Sequence, residues 1–176
     1  MSDKAPPEPS ICIGCGLCCD GTLYATATVR SHDVSIVIAA GLAIEKGEKR
    51  EFFRQPCPRF SCGSCTVYEV RPKVCRGYRC SLLEKVEAGE ISTSLAREVI
   101  QKALELRVAV RNIDPGAVTP SERTALAERL RAQLRGPDRS EVAHSLLATA
   151  SLEHFLNRWF LKDSKKKERD SDEAAG

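Results

Sequence analysis

All nine cysteines of this chain lie between Cys12 and Cys80, and the remainder of the 176 residues has none. They form three groups: Cys12-x2-Cys15-x2-Cys18-Cys19, then Cys57-Pro58 followed by Cys62-x2-Cys65, then Cys75-x4-Cys80. The odd count and the adjacent Cys18 and Cys19 fit poorly with complete disulfide pairing. Residues 1–10 hold Pro6, Pro7 and Pro9 but no apolar stretch of the secretory kind. The longest apolar run, Ile36 to Ile44, is about half of a bilayer span. A cytoplasmic protein with no membrane segment is therefore expected. In a reducing compartment, clustered cysteines read as metal ligands or catalytic thiols before they read as disulfides.

Thiolate-rich sites suit zinc, copper(I) and iron–sulfur clusters alike. Three cysteines at x2 spacing, with Gly14 and Gly16 freeing the backbone to curl, can present three corners to one centre. A C-x2-C-x2-C run completed by a remote Cys-Pro is the ferredoxin arrangement for cubane clusters, so an iron–sulfur centre is placed ahead of Zn(2+). The chain departs from ferredoxin in having Cys19 directly after Cys18. The side chain of Cys19 must point away from that of Cys18, so the fourth ligand has to come from downstream. Cys57 is the expected choice, because Pro58 stiffens its loop. Cys19, Cys65, Cys75 and Cys80 would then gather as a second site or as reserve thiols. Sulfurs sharing one zinc should lie about 3.5–4 Å apart, and those around a cubane further.

A centre with four thiolates carries a net charge of about minus two. Between Arg54 and Cys80 stand Arg54, Arg59, Arg71, Lys73, Arg76 and Arg79 against the single acid Glu69, a positive excess beside the ligands. Tyr68 can donate to a thiolate, and Glu69 can pair with Arg71 or Arg76, which makes these four residues tethers of the ligands rather than catalysts. His32, His144 and His154 are scattered and read as surface or packing residues. No nucleophile–base pair is visible, so no catalytic residue is assigned.

The rest of the chain reads as ordinary soluble protein, 42% apolar and 29% charged. A net charge of +3 and 5% aromatics give no footprint for nucleic acid. Alternation from Thr22 to Arg30 predicts a strand, and Ser31 a cap for a short helix through Asp33 to Ala40. Prolines and glycines between Gln55 and Cys80 leave little room for regular structure, so something other than a core must order that segment. Leu95, Val99, Ala103, Leu106 and Val110 share one face and predict a helix from Thr93 to about Arg111. Thr119-Pro120-Ser121-Glu122 is a capping box opening a second helix to Arg135. Asp138 with Glu141 repeats the spacing before a third helix through Trp159 or Phe160, with Val142, Leu146, Ala150, Leu156 and Trp159 as its buried stripe. The fold class is mainly α with a small β element. A flexible leader (1–10) precedes an irregular cysteine-cluster region (11–82), a three-helix region (83–161) and a disordered charged tail (162–176).

Cys12-Ile13-Gly14-Cys15-Gly16-Leu17-Cys18-Cys19, Cys57-Pro58-Arg59-Phe60 and the run from Cys65 to Cys80 resemble the CxxCxxCC zinc- or iron-chelating domain, also called the YkgJ-like cysteine cluster proteins. The resemblance covers about residues 10–82 and implies metal chelation in a bacterial cytosolic protein. It maps the family's eight cysteines onto Cys12, Cys15, Cys18, Cys19, Cys57, Cys65, Cys75 and Cys80, and leaves Cys62 as an extra. Flagellin lysine N-methylases are similar in this cysteine pattern, which implies an accessory or catalytic part in such an enzyme as an alternative. Against it, the chain has neither a glycine-rich nucleotide turn nor a C-x3-C-x2-C motif. The remaining rival is a structural zinc module whose helices dock a protein partner through Phe155, Trp159 and Phe160.

Overall fold

The computed structural model describes residues 10–162. Apart from Ser10 and Lys162, the expected leader and tail lie outside the described residues. Strand β1 (Thr26–Val29) pairs antiparallel with β3 (Glu51–Arg54), in register Ala27 to Phe53, and β2 (Glu45–Lys46) pairs with the other edge of β3. Only part of the alternating run from Thr22 to Arg30 becomes strand. Its start is held in a turn instead, with Thr22 N–H donating to Asp20 Oδ1 at 2.9 Å and Leu23 N–H to Leu17 O at 3.0 Å. The expected cap at Ser31 is absent, because Ser31–Asp33 forms a 3₁₀ turn that leads into α1 (Val34–Ala39). Val29, Val37, Ala40, Leu42 and Phe53 close a small core between this helix and the sheet.

The segment from 55 to 80 consists of short pieces. A hairpin joins β4 (Phe60–Ser61) to β5 (Ser64–Cys65), and its two turn residues, Cys62 and Gly63, both have positive φ (48° and 79°). Positive φ at both central positions is what a type I′ turn demands. Helix α2 (Lys73–Gly77) follows a 3₁₀ turn. Only Val67, Val74, Cys57 and Cys75 from this segment pack against the small core, and all are partly buried.

Among the described residues, four helices rather than three follow Cys80: α3 (Ser81–Glu87), α4 (Thr93–Ile113), α5 (Pro120–Gln133) and α6 (Arg139–Trp159). The α5 capping box forms as the sequence predicts, with Glu122 Oε2 accepting from Thr119 N–H at 2.7 Å. At Asp138 no side-chain cap forms. The face of α4 is close to that expected, with Val99, Ala103 and Val110 buried, but Ala96 and Ile100 replace Leu95, which is exposed. On α6 the buried stripe is Thr149, Leu152 and Leu156, so Ala150 faces solvent. Of the three residues expected to form a docking patch, Phe160 is buried in the main core, and Phe155 and Trp159, partly buried, pack against it.

Arginines of the helical region tie it to the first half of the chain. Arg123 of α5 is 2% exposed and donates to Glu153 Oε1 on α6 (2.5 Å), Val118 O (2.5 Å) and Thr22 O (2.9 Å). Arg107 and Arg111 of α4 both reach Asp20, the residue after Cys19. The helical region thus grips the loop that carries the first four cysteines.

Candidate metal centres

Cys12, Cys15, Cys18 and Cys19 lie on a loop shaped by Gly14 (φ 85°) and Gly16 (φ 68°). Gly16 has a second reason to be glycine, since a β-carbon there would overlap the ring of Phe60. That ring is how the hairpin segment seats on the first cysteine loop. Cys57 N–H also donates to Cys19 O at 2.7 Å, which ties the two segments by backbone.

The thiols that act on one another through space fall into two sets. Cys15 is influenced by Cys12 and Cys80, and Cys18 by Cys15, Cys80, Cys19 and Cys12. Cys19 is influenced by Cys57, Cys75 and Cys65, and Cys75 by Cys57 and Cys65. Packing divides them in the same way, with Cys15, Cys18 and Cys80 on the helical core and Cys57 and Cys75 on the small β core. The first set is therefore Cys12, Cys15, Cys18 and Cys80, and the second Cys19, Cys57, Cys65 and Cys75. Cys18 and Cys19, adjacent in the chain and close enough to act on one another, lie where the two groups meet. The fourth member of the first set is Cys80 rather than the expected Cys57, because Phe60 and the Cys57–Cys19 backbone bond hold Cys57 on the Cys19 side. Cys62 joins neither set; it is exposed at the hairpin tip, with only Ser61 Oγ 3.7 Å from its sulfur.

Burial pushes the Cys15 and Cys19 thiols up to about 12 and Cys75 up to about 11, and neighbouring cysteines add to each rise. Burial likewise raises Cys18, Cys57 and Cys80. Backbone N–H groups oppose it: Leu17 at Cys15, Arg59 and Phe60 at Cys57, and Leu83 at Cys80, where N···Sγ is 3.4 Å. Clustered thiols, several of them partly buried and met by backbone N–H donors, are a donor set that a soft cation completes. The residues present fit zinc or iron on this ground. Among the described residues, however, no three His, Cys, Asp or Glu side chains already enclose a single-ion site.

Two of the expected counter-charges serve the second set, with Arg59 favouring the Cys57 thiolate and Arg71 that of Cys75. The others are engaged elsewhere. Arg54 forms a two-pronged pair with Glu45 at 2.7 Å, and Arg79 pairs with Glu87 at 3.0 Å. Arg76 is exposed, and its carbonyl accepts from Arg79 at 2.8 Å. The partner of Tyr68 is the Arg71 guanidinium, 3.7 Å above its ring, rather than a thiolate. Glu69 is exposed and pairs with neither Arg71 nor Arg76.

Three supports were not foreseen from sequence. Asp33, wholly buried, accepts from Lys73 N–H (2.9 Å) and Val74 N–H (3.1 Å), capping α2 from 40 residues away and so fixing Cys75. Tyr24 and Tyr78 meet edge to face with hydroxyls 2.5 Å apart beside Cys18 and Cys80. Arg59 Nε donates to Ala40 O across Gly41, where a β-carbon would strike the guanidinium. Only Gly41, a breaker after an apolar run, carried any local signal of these.

The model of the CxxCxxCC family, described as a putative zinc- or iron-chelating domain, matches residues 11–99, just over half of the chain. The chain belongs to this family. The match runs past residue 82 into α4, so the helical region shares in it. No match was found among the curated proteins or the solved structures. No helix among the described residues is long and apolar enough to cross a membrane.

Proposed function

We propose that this member of the CxxCxxCC family is an iron–sulfur redox protein with two centres, one on Cys12, Cys15, Cys18 and Cys80 and the other on Cys19, Cys57, Cys65 and Cys75. The observation that carries the reading is the division of the eight family cysteines into two sets of four, each drawn from both segments. Four thiolates are the usual complement of an iron–sulfur cluster. The clusters supply one-electron chemistry when bound. The chain's own residues hold the thiolates, aim N–H groups at sulfur, and set the local charge through Arg59 and Arg71. A protein partner for electron exchange follows from this role.

Structural zinc is the second reading, favoured by the 55–80 segment, which contributes so little to the core that ligation itself has to order it. Anaerobic purification with iron, sulfide and zinc analysis separates the two. Visible absorption with iron and sulfide in equal amounts is the result expected. A colourless protein with zinc alone would overturn the redox reading, since zinc(II) is neither coloured nor redox-active.

A further inference from the structure

A cleft of about 400 Å³ opens beside the first cysteine set, between its loop and α4. Phe60, Leu104, Val118, Arg107, Arg111 and Asp20 are among its lining residues, which gives it apolar walls, two cations and one carboxylate. Arg107 and Arg111 stand one turn apart on α4, and both pair with Asp20. One carboxylate, already accepting from Thr22 N–H at 2.9 Å, cannot satisfy two five-donor guanidinium groups. The Nε of each arginine is buried with no hydrogen-bond partner among the described residues. Buried donors of this kind are costly to leave unmatched. The nearby Arg123 is itself only a donor, to Glu153, Val118 and Thr22, and offers these arginines no acceptor. The cleft therefore retains an excess positive charge against apolar walls.

We propose that this cleft binds a small organic anion, whose carboxylate or phosphate group pairs with Arg107 and Arg111 while its apolar body lies along Phe60, Leu104 and Val118. Paired arginines suit the planar, forked recognition of such groups, and the volume is in the range of small-ligand sites. The inference rests on the arginines and the cleft, and holds whichever metal the cysteines carry.

The test is calorimetric titration of the full-length, metal-loaded chain with benzoate and phenyl phosphate, with benzamide and inorganic phosphate as comparisons. Saturable binding of both organic anions is expected, with benzamide about tenfold weaker or worse. Arg111→Gln should weaken benzoate by about tenfold or more at unchanged metal content. Arg111→Lys, which keeps the charge and loses the fork, should fall between the two. Equal affinity for benzoate and benzamide, or for phenyl and inorganic phosphate, would overturn the proposal in the wild-type chain alone, whatever the variants do. Loss of metal in Arg111→Gln with benzoate affinity per loaded chain unchanged would also overturn it, assigning the arginines to balancing the thiolates.

Discussion

Asp33→Ala tests how the second cysteine set is held without touching a cysteine. The carboxylate is wholly buried and accepts from two backbone N–H groups at 2.9 and 3.1 Å, the first two residues of α2. Hydrogen bonds to a charged group contribute about 1.5–3 kcal/mol each, and loss of a helix cap alone costs about 0.5–2 kcal/mol. Relief from burying a carboxylate offsets part of this, and water recovers part of the loss at N–H groups that are only half-buried. A net cost of about 2–3 kcal/mol results. It falls on the piece that carries Cys75, so local opening there should speed metal release to a chelator by on the order of 30- to 100-fold. Asp33→Asn keeps one acceptor and should cost about half as much. Denaturant midpoints and chelator-challenge kinetics measure both effects. Wild-type release kinetics in folded Asp33→Ala would refute the argument that α2 is fixed from Asp33.

Three further outcomes follow from the site. Because burial holds the Cys15, Cys19 and Cys75 thiols near 11–12, they are protonated at neutral pH in the metal-free chain. Loading should release several protons, at least one from each of the raised thiols that binds, and affinity should fall as pH drops; weakly buffered titration calorimetry showing about one proton or fewer per centre would contradict this. Cys62→Ser should retain nearly all metal, since Cys62 stands exposed outside both sets, whereas Cys65→Ser should empty the second; equal losses in elemental analysis would contradict the assignment. Metal removal should expose 57–80 to protease and thiol label while α4 to α6 survive, and unchanged protection in verified metal-free protein would show that the segment orders by itself.

What the sequence made legible is what is local. The Thr119–Glu122 capping box and most of the α4 stripe depend on residues within one or two turns, and both are found. Strand β3 escaped because Glu51-Phe52-Phe53-Arg54 is short and its two phenylalanines sit side by side; only pairing with β1 decides which one faces inward. Asp138 has the spacing of a cap, yet its backbone conformation does not deliver one. Which downstream cysteine lies beside Cys15 and Cys18 was not legible for a similar reason. Spacing shows that Cys12, Cys15 and Cys18 need a remote partner, but the choice between Cys57 and Cys80 depends on Phe60 seating on Gly16 and on α3 beginning at Cys80. Asp33 offered no signal at all, since its partners are 40 residues away and are backbone groups.

The division into two four-cysteine sets is tested most directly by metal content per folded chain in Cys80→Ser and Cys57→Ser prepared beside wild type. Each variant is expected to lose about half of the bound metal, with the double variant losing nearly all, because each removes one thiolate from a different closed set. Complete loss in Cys57→Ser together with full retention in Cys80→Ser would contradict the division and restore Cys57 to the Cys12, Cys15 and Cys18 centre.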